Sequence, residues 1–109
     1  MTAQLDTITK TENRNVEKTE KQWFVYMIQT KCDKLYTGIT TDIERRFNEH
    51  FQCFKGESNK GAKYFRGRRP MLIVYRELCE NRSAASIREY QIKKMSALQK
   101  RALIKGVHT

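Results

Sequence analysis

Two strand-forming runs separated by only four polar residues constrain this chain more than any other feature. Trp23 to Thr30 reads WFVYMIQT and Leu35 to Thr40 reads LYTGIT, both rich in aromatic and β-branched side chains. Lys31-Cys32-Asp33-Lys34 is too short for a crossover, so the two strands must pair antiparallel as a hairpin. Side chains alternate faces along a strand, so Tyr26 and Tyr36 can lie side by side on one face of that hairpin. Gly38 shares the face of Tyr36. A strand glycine often marks a close approach by another group, here with a phosphate as one candidate.

The rest of the chain follows in short elements. Thr41-x-x-Glu44 reads as a capping box opening a helix to about Phe51, with Ile43, Phe47 and Phe51 as its buried stripe. Cys53 to Pro70 reads as a loop. Met71 to Leu78 is a third strand, apolar enough to be expected at the centre of a sheet. Ser83 to Met95 forms a second helix, its inner face expected around Ile87, Tyr90 and Met95. Ser96-x-x-Gln99 is another capping box, starting a helix to about Lys105, and Gly106 stands where a C-terminal cap belongs. The order is β-β-α-β-α-α.

Charge narrows the function. The formal net charge is +10, and residues 1–21 contribute nothing to it, since Lys10, Arg14, Lys18 and Lys21 offset Asp6, Glu12, Glu17 and Glu20. That polar segment holds too few apolar side chains to offset its ordering entropy and is expected to be a flexible tail ahead of a domain spanning 22–106. The basic excess on the domain points to nucleic acid ahead of anionic membrane. No apolar run is long enough for a membrane helix, and no apolar segment near the N-terminus resembles a secretory signal. Cys32, Cys53 and Cys79 form no metal-binding spacing and read as free thiols, so the expected location is the cytoplasm. No obligate protein partner is evident.

Several residues could carry chemistry. From Asn81 to Thr109 there are seven Lys or Arg and a single carboxylate, Glu89. An isolated carboxylate on a basic surface opposes polyanion binding unless it has a positive partner or holds a cation. On the first helix Arg46 and His50 are four apart and share a face, while Glu49 is spaced to pair with Arg45. The loop Lys55–Arg69 interleaves Tyr64 and Phe65 with six basic residues and one acid, a pattern suited to phosphate contact plus base stacking.

Phe24-Val25-Tyr26, then Tyr36-Thr37-Gly38, then a helix with Arg46 and His50, then a helix with Glu89, resemble the GIY-YIG nuclease superfamily. The resemblance runs from about Gln22 to Lys105. The stretches LYTGITTD, GAKYFRGRRP and NRSAASIREYQIKKMS are similar to its small stand-alone bacterial branch of YhbQ-type proteins. The resemblance implies an α+β fold with a three-stranded antiparallel sheet flanked by helices. It also implies a nuclease that hydrolyses phosphodiester bonds with a single Mg²⁺ or Mn²⁺.

By that resemblance the family tyrosines fall on Tyr26 and Tyr36, the arginine on Arg46 and the metal-binding glutamate on Glu89. Arg46 would clamp a phosphate oxygen, and one carboxylate suffices for Mg²⁺ because that ion keeps most of its waters. Either tyrosine, made more acidic by Arg46 and the cation, could be the general base, with His50 as the alternative. The DNA-repair branch carries a lysine three residues after the YIG tyrosine. Ile39 stands there, so the role of that lysine passes to Lys63 or Arg66 or is absent. Gly38, Lys63, Tyr64, Arg66, Arg68, Arg69 and Lys93 complete the expected nucleic-acid contacts. The expected substrate is DNA, recognised by structure or single-strandedness, since phosphate contacts give no sequence readout. The competing function is a binding module that keeps the fold and charge without turnover.

Overall fold

The computed structural model describes residues 21–106, so the expected flexible tail lies outside the described residues apart from Lys21. Among the described residues, three strands and three helices follow in the order β1 (Trp23–Thr30), β2 (Leu35–Thr40), α1 (Ile43–Phe54), β3 (Pro70–Cys79), α2 (Arg82–Lys93) and α3 (Ala97–Ile104), with a 3₁₀ turn at Lys63–Phe65. The hairpin forms as the four-residue linker demands. Asp33 takes a left-handed φ of 65°, and Thr30 closes the turn by accepting from Asp33 through its carbonyl and from Lys34 through its hydroxyl.

The sheet is antiparallel with strand order β2-β1-β3. The centre is therefore β1, and β3 is an edge, contrary to the expectation for Met71–Leu78. The physical reason is that β1 is covered on both faces, with Val25, Tyr26, Met27 and Ile28 buried in succession. In β3, Met71, Leu72 and Leu78 remain exposed.

Both faces of the sheet carry helices. Tyr26, Ile28, Ile43 and Phe65 form the core between the sheet and α1 with the 3₁₀ turn, while Val25, Met27, Ala85, Ile92 and Leu103 form the core beneath α2 and α3. The alternation of β1 alone divides these cores, even-numbered residues to one side and odd to the other.

The helices differ from expectation in their caps and faces. The cap of α1 is Asp42, whose side chain accepts from the Arg45 N–H, and the helix continues through Cys53 to Phe54. Its fully buried residues are Ile43, His50 and Cys53, with Phe47 and Phe51 only half-buried. In α2, capped by Asn81, the buried residues are Ala85 and Ile92, and the expected inner residues Ile87 and Tyr90 are 58% and 64% exposed. The half-buried flank of α2 carries charge instead. Arg88 reaches across to Glu77 on β3 at 3.0 and 3.1 Å, and Glu77 also accepts from the Tyr75 hydroxyl. The capping box of α3 is present as Ser96 and Gln99, and Gly106 follows the helix with φ 80°.

Candidate active site

The hairpin register determines the site. Tyr26 lies opposite Gly38, and Ile28 opposite Tyr36, so the two tyrosines are diagonal neighbours on the α1 side, with ring centroids 6.3 Å apart. The close approach that Gly38 allows is made by Tyr26. A Cβ added at Gly38 would stand 2.6 Å from the Tyr26 hydroxyl oxygen and 2.8 Å from Cζ, closer than such atoms can pack. The glycine thus makes room for a phenol of its own sheet.

Helix α1 delivers His50 and Arg46 to the same place. His50 is fully buried, and its Nε2 lies 2.9 Å from the Tyr26 hydroxyl. The backbone N–H of Ala62 donates to His50 Nδ1 at 3.3 Å, which assigns the ring proton to Nε2 and makes His50 the donor to Tyr26. Burial, reinforced by the Arg46 charge, lowers the His50 pKa from 6.5 to about 4, so the ring stays neutral. A buried imidazole whose only lone pair is already engaged cannot accept a proton from water. In this arrangement His50 holds the Tyr26 hydroxyl and presents no free lone pair toward the sheet. Phe65, which stacks on both His50 and Tyr36 with centroids 4.3 and 4.9 Å away, closes this cluster from the 3₁₀ turn.

Arg46 is aimed by two contacts from one nitrogen. Its Nη1 donates to Glu49 Oε1 and to the Lys60 carbonyl, both at 2.7 Å. Glu49 therefore pairs with Arg46 and not with Arg45, because the shorter i, i+3 reach lies toward the sheet. The guanidinium also faces Tyr26, whose ionised form it favours by charge and by hydrogen bonding.

Glu89 comes from α2, which packs against β1 and β2. Its side chain is 23% exposed and pairs with Lys93 at 3.2 Å. Both charges act on the tyrosines. Burial raises the Tyr36 pKa above the ordinary phenol value, Lys93 and Arg46 oppose that, and Glu89 adds to it. The Tyr26 pKa is raised further, by burial first and by Tyr36 next, against the lowering effect of Arg46. Arg46 thus favours the phenolate of both tyrosines as expected, and burial outweighs it, leaving both above the ordinary phenol value.

The expected residues divide into two groups. Tyr26, Tyr36, Gly38, Arg46, His50, Glu89 and Lys93 share one neighbourhood, and Tyr64 joins them through its ring, 5.3 Å from that of Tyr36. Lys63 and Arg66 are exposed on the loop, with no side-chain contact to that group. Arg68 lies over Tyr64, its guanidinium 4.4 Å from the ring centroid, and Arg69 lies over Phe51 farther along α1. Sequence reasoning missed the Ala62 N–H and the Glu49–Lys60 clamp on Arg46, and Phe65, read with Tyr64 as suited to base stacking, is instead fully buried.

Among the described residues no three His, Cys, Asp or Glu side chains gather into a metal cage. The donor set fits a hydrated hard cation held by one carboxylate, Glu89, and does not fit a dehydrated or soft metal.

A hairpin and two helices thus bring two tyrosines, an arginine and a glutamate together. The family model described as the GIY-YIG catalytic domain matches residues 22–102. The chain belongs to the GIY-YIG family. Within it, the chain is 54% identical over 84 residues to UPF0213 protein DP2720 of Desulfotalea psychrophila, covering 77% of this chain and 72% of that protein. It is 46% identical over 85 residues to UPF0213 protein plu4503 of Photorhabdus laumondii, with 78% and 76% covered. It is also 43% identical over 82 residues to UPF0213 protein YhbQ of Escherichia coli K12, with 75% and 76% covered. The solution NMR structure of UPF0213 protein BH0048 from Bacillus halodurans is 34% identical, with a TM-score of 0.47 over 77% of this chain and 83% of that one. GIY-YIG membership gives the chain the fold and catalytic frame of a nuclease superfamily.

Proposed function

We propose that this chain is a divalent-metal-dependent endonuclease that cuts phosphodiester bonds in DNA, selecting unpaired or branched structure over sequence. The observation that carries this is the convergence of Arg46 and Glu89, opposite charges from two helices, on the Tyr26–Tyr36 pair. A binding module needs the cation but has no use for a carboxylate facing the polyanion.

Glu89 would hold a hydrated Mg²⁺ or Mn²⁺, which supplies charge neutralisation at the scissile phosphate and the leaving oxygen. Lys93 is the mobile counterion that gives up Glu89 when the site is loaded. Arg46, fixed through Nη1, offers its remaining N–H groups to a nonbridging phosphate oxygen as charge develops there. His50 donates to the Tyr26 oxygen, so the Tyr26 proton points elsewhere, and the Tyr26 hydroxyl favours the ionised form of Tyr36. Tyr36 is the less buried of the two phenols and the one flanked by Lys93 and Arg46. It accepts the hydrogen bond that orients the attacking water.

The purified protein, incubated with single-stranded, nicked and branched DNA and with RNA, should cut at least one unpaired or branched DNA in Mg²⁺ or Mn²⁺. Cleavage that survives both Glu89→Gln and Arg46→Ala would show that another protein or another site is responsible.

A further inference from the structure

Away from the catalytic cluster lies a groove of about 410 Å³ lined by Lys31, Cys32, Phe54, Gly67, Arg68 and Arg69. It brings the hairpin turn, the end of α1 and the strand-leading loop together. The backbone N–H of Lys31 donates to the Arg69 carbonyl at 2.8 Å, which fixes the turn against the loop. Gly67, with φ 87°, turns the chain so that Arg68 and Arg69 follow side by side. Lys31, Arg68 and Arg69 are exposed, and none of the three forms an ion pair among the described residues. The groove contains no acidic lining residue. Its aromatic side is Phe54, backed by Phe51 at a centroid distance of 6.3 Å and 29° between ring planes.

This groove is continuous with the catalytic cluster. Tyr36 touches Tyr64, and Arg68 lies over Tyr64 while donating to its carbonyl oxygen at 3.3 Å. A chain of aromatic and cationic contacts thus runs from Tyr36, which would orient the attacking water, to three cations without an ion-pair partner among the described residues, beside the half-buried ring of Phe54.

We infer that the groove seats one nucleotide of an unpaired strand leading away from the cleavage point, its phosphates on Lys31, Arg68 and Arg69 and its base against Phe54. An aromatic wall is of use only to a base whose face is free, so a duplex would meet the cations but not Phe54. This rests on the nuclease proposal for the direction of the strand. Binding can be measured without turnover, so the two can fail separately.

The experiment measures affinity for a fluorescent single-stranded oligonucleotide and for a blunt duplex over a range of salt. It is done in chelator, with Glu89→Gln as the parent. Adding Lys31→Ala, Arg68→Ala and Arg69→Ala should weaken single-strand binding and flatten the log K against log [salt] slope by about 0.7 for each cation that meets a phosphate. Phe54→Ala should weaken single-strand binding about fivefold or more, leave the salt slope unchanged and leave duplex binding unaffected. The matched triple change Lys94→Ala, Lys100→Ala and Lys105→Ala, on α2 and α3, should alter the single-strand slope less. If the two triple variants lose affinity and slope equally, the groove is not a site, only part of a diffuse basic surface. Equal losses from Phe54→Ala on single strand and duplex would also overturn it. Absence of cleavage by the unsubstituted protein, with the groove results as expected, would overturn the nuclease proposal alone.

Discussion

Replacing Gly38 with alanine would test whether the site is built around the contact between Tyr26 and its opposite strand. Glycine in a strand is ordinarily a weakness, and alanine there should gain about 0.5–1 kcal/mol. At Gly38 the sign should invert. The added Cβ meets the Tyr26 oxygen at 2.6 Å and Cζ at 2.8 Å, and the phenol has no free space because it is packed in the core with Ile28, Ile43 and Phe65. Overpacking of that kind costs about 1–3 kcal/mol. Displacing the hydroxyl also breaks the 2.9 Å bond to His50 and leaves a buried N–H unpaired, for a further cost of about 1–3 kcal/mol. The expected loss is about 3 kcal/mol, measured by urea unfolding, and nuclease activity should fall about a hundredfold because both phenols shift. Tyr26→Phe removes the nearest of the clashing atoms, so the double variant should cost less than the sum of the two single ones. A neutral or stabilising Gly38→Ala, or strict additivity with Tyr26→Phe, would refute the steric role given to this glycine.

Other expectations follow from single contacts. His50 titrates near 6.5 when unfolded and at about 4 in the protein, so between those values the unfolded chain binds the extra proton. Stability should be full above pH 6.5 and fall by roughly 3 kcal/mol as the pH drops to 4, and His50→Gln, which still faces Tyr26, Arg46 and Glu49, should flatten that dependence. An unchanged pH profile in the variant would show that His50 is not the group responsible. Thr37 Oγ1 is buried without a hydrogen-bond partner among the described residues, so Thr37→Val, equal in shape and strand preference, should raise stability by about 1 kcal/mol in thermal melting. A lower melting temperature would mean that the hydroxyl has a use the fold does not reveal. Arg46→Lys should lower kcat about 10²- to 10³-fold with little change in KM, because one ammonium cannot hold Glu49, the Lys60 carbonyl and a phosphate together.

What the sequence made legible was local. The hairpin followed from a linker four residues long, and the cap of α3 from a Ser–Gln pair three apart. Tyr26, Tyr36, Arg46 and Glu89 were singled out by the resemblance of their motifs to the GIY-YIG family, and their convergence depends on α1 and α2 packing on the same hairpin. What was not legible was set by contacts distant in sequence. The position of β3 at the edge depends on which strand α1 and α2 both cover, and its aliphatic run carries no sign of that. The inner face of α2 misled because hydrophobicity favoured Ile87 and Tyr90. The half-buried flank carries Arg88, whose charge is satisfied by Glu77 eleven residues away. His50 was legible only as a neighbour of Arg46 on one helix face and as an alternative base. Its burial depends on Phe65 and the Ala62 N–H, both brought over it by a loop that reads as solvated.

The central claim is that Glu89 and a divalent cation act together at the Tyr26–Tyr36–Arg46 cluster to cut nucleic acid. The most direct measurement is cleavage of labelled single-stranded and branched DNA by the wild type and by Glu89→Gln, each in Mg²⁺ and in chelator, with equal folding of the two proteins checked by circular dichroism. Cleavage is expected only from the wild type in Mg²⁺, with Glu89→Gln still binding the DNA. Equal cleavage by both proteins, or cleavage by the wild type that persists in chelator, would contradict it.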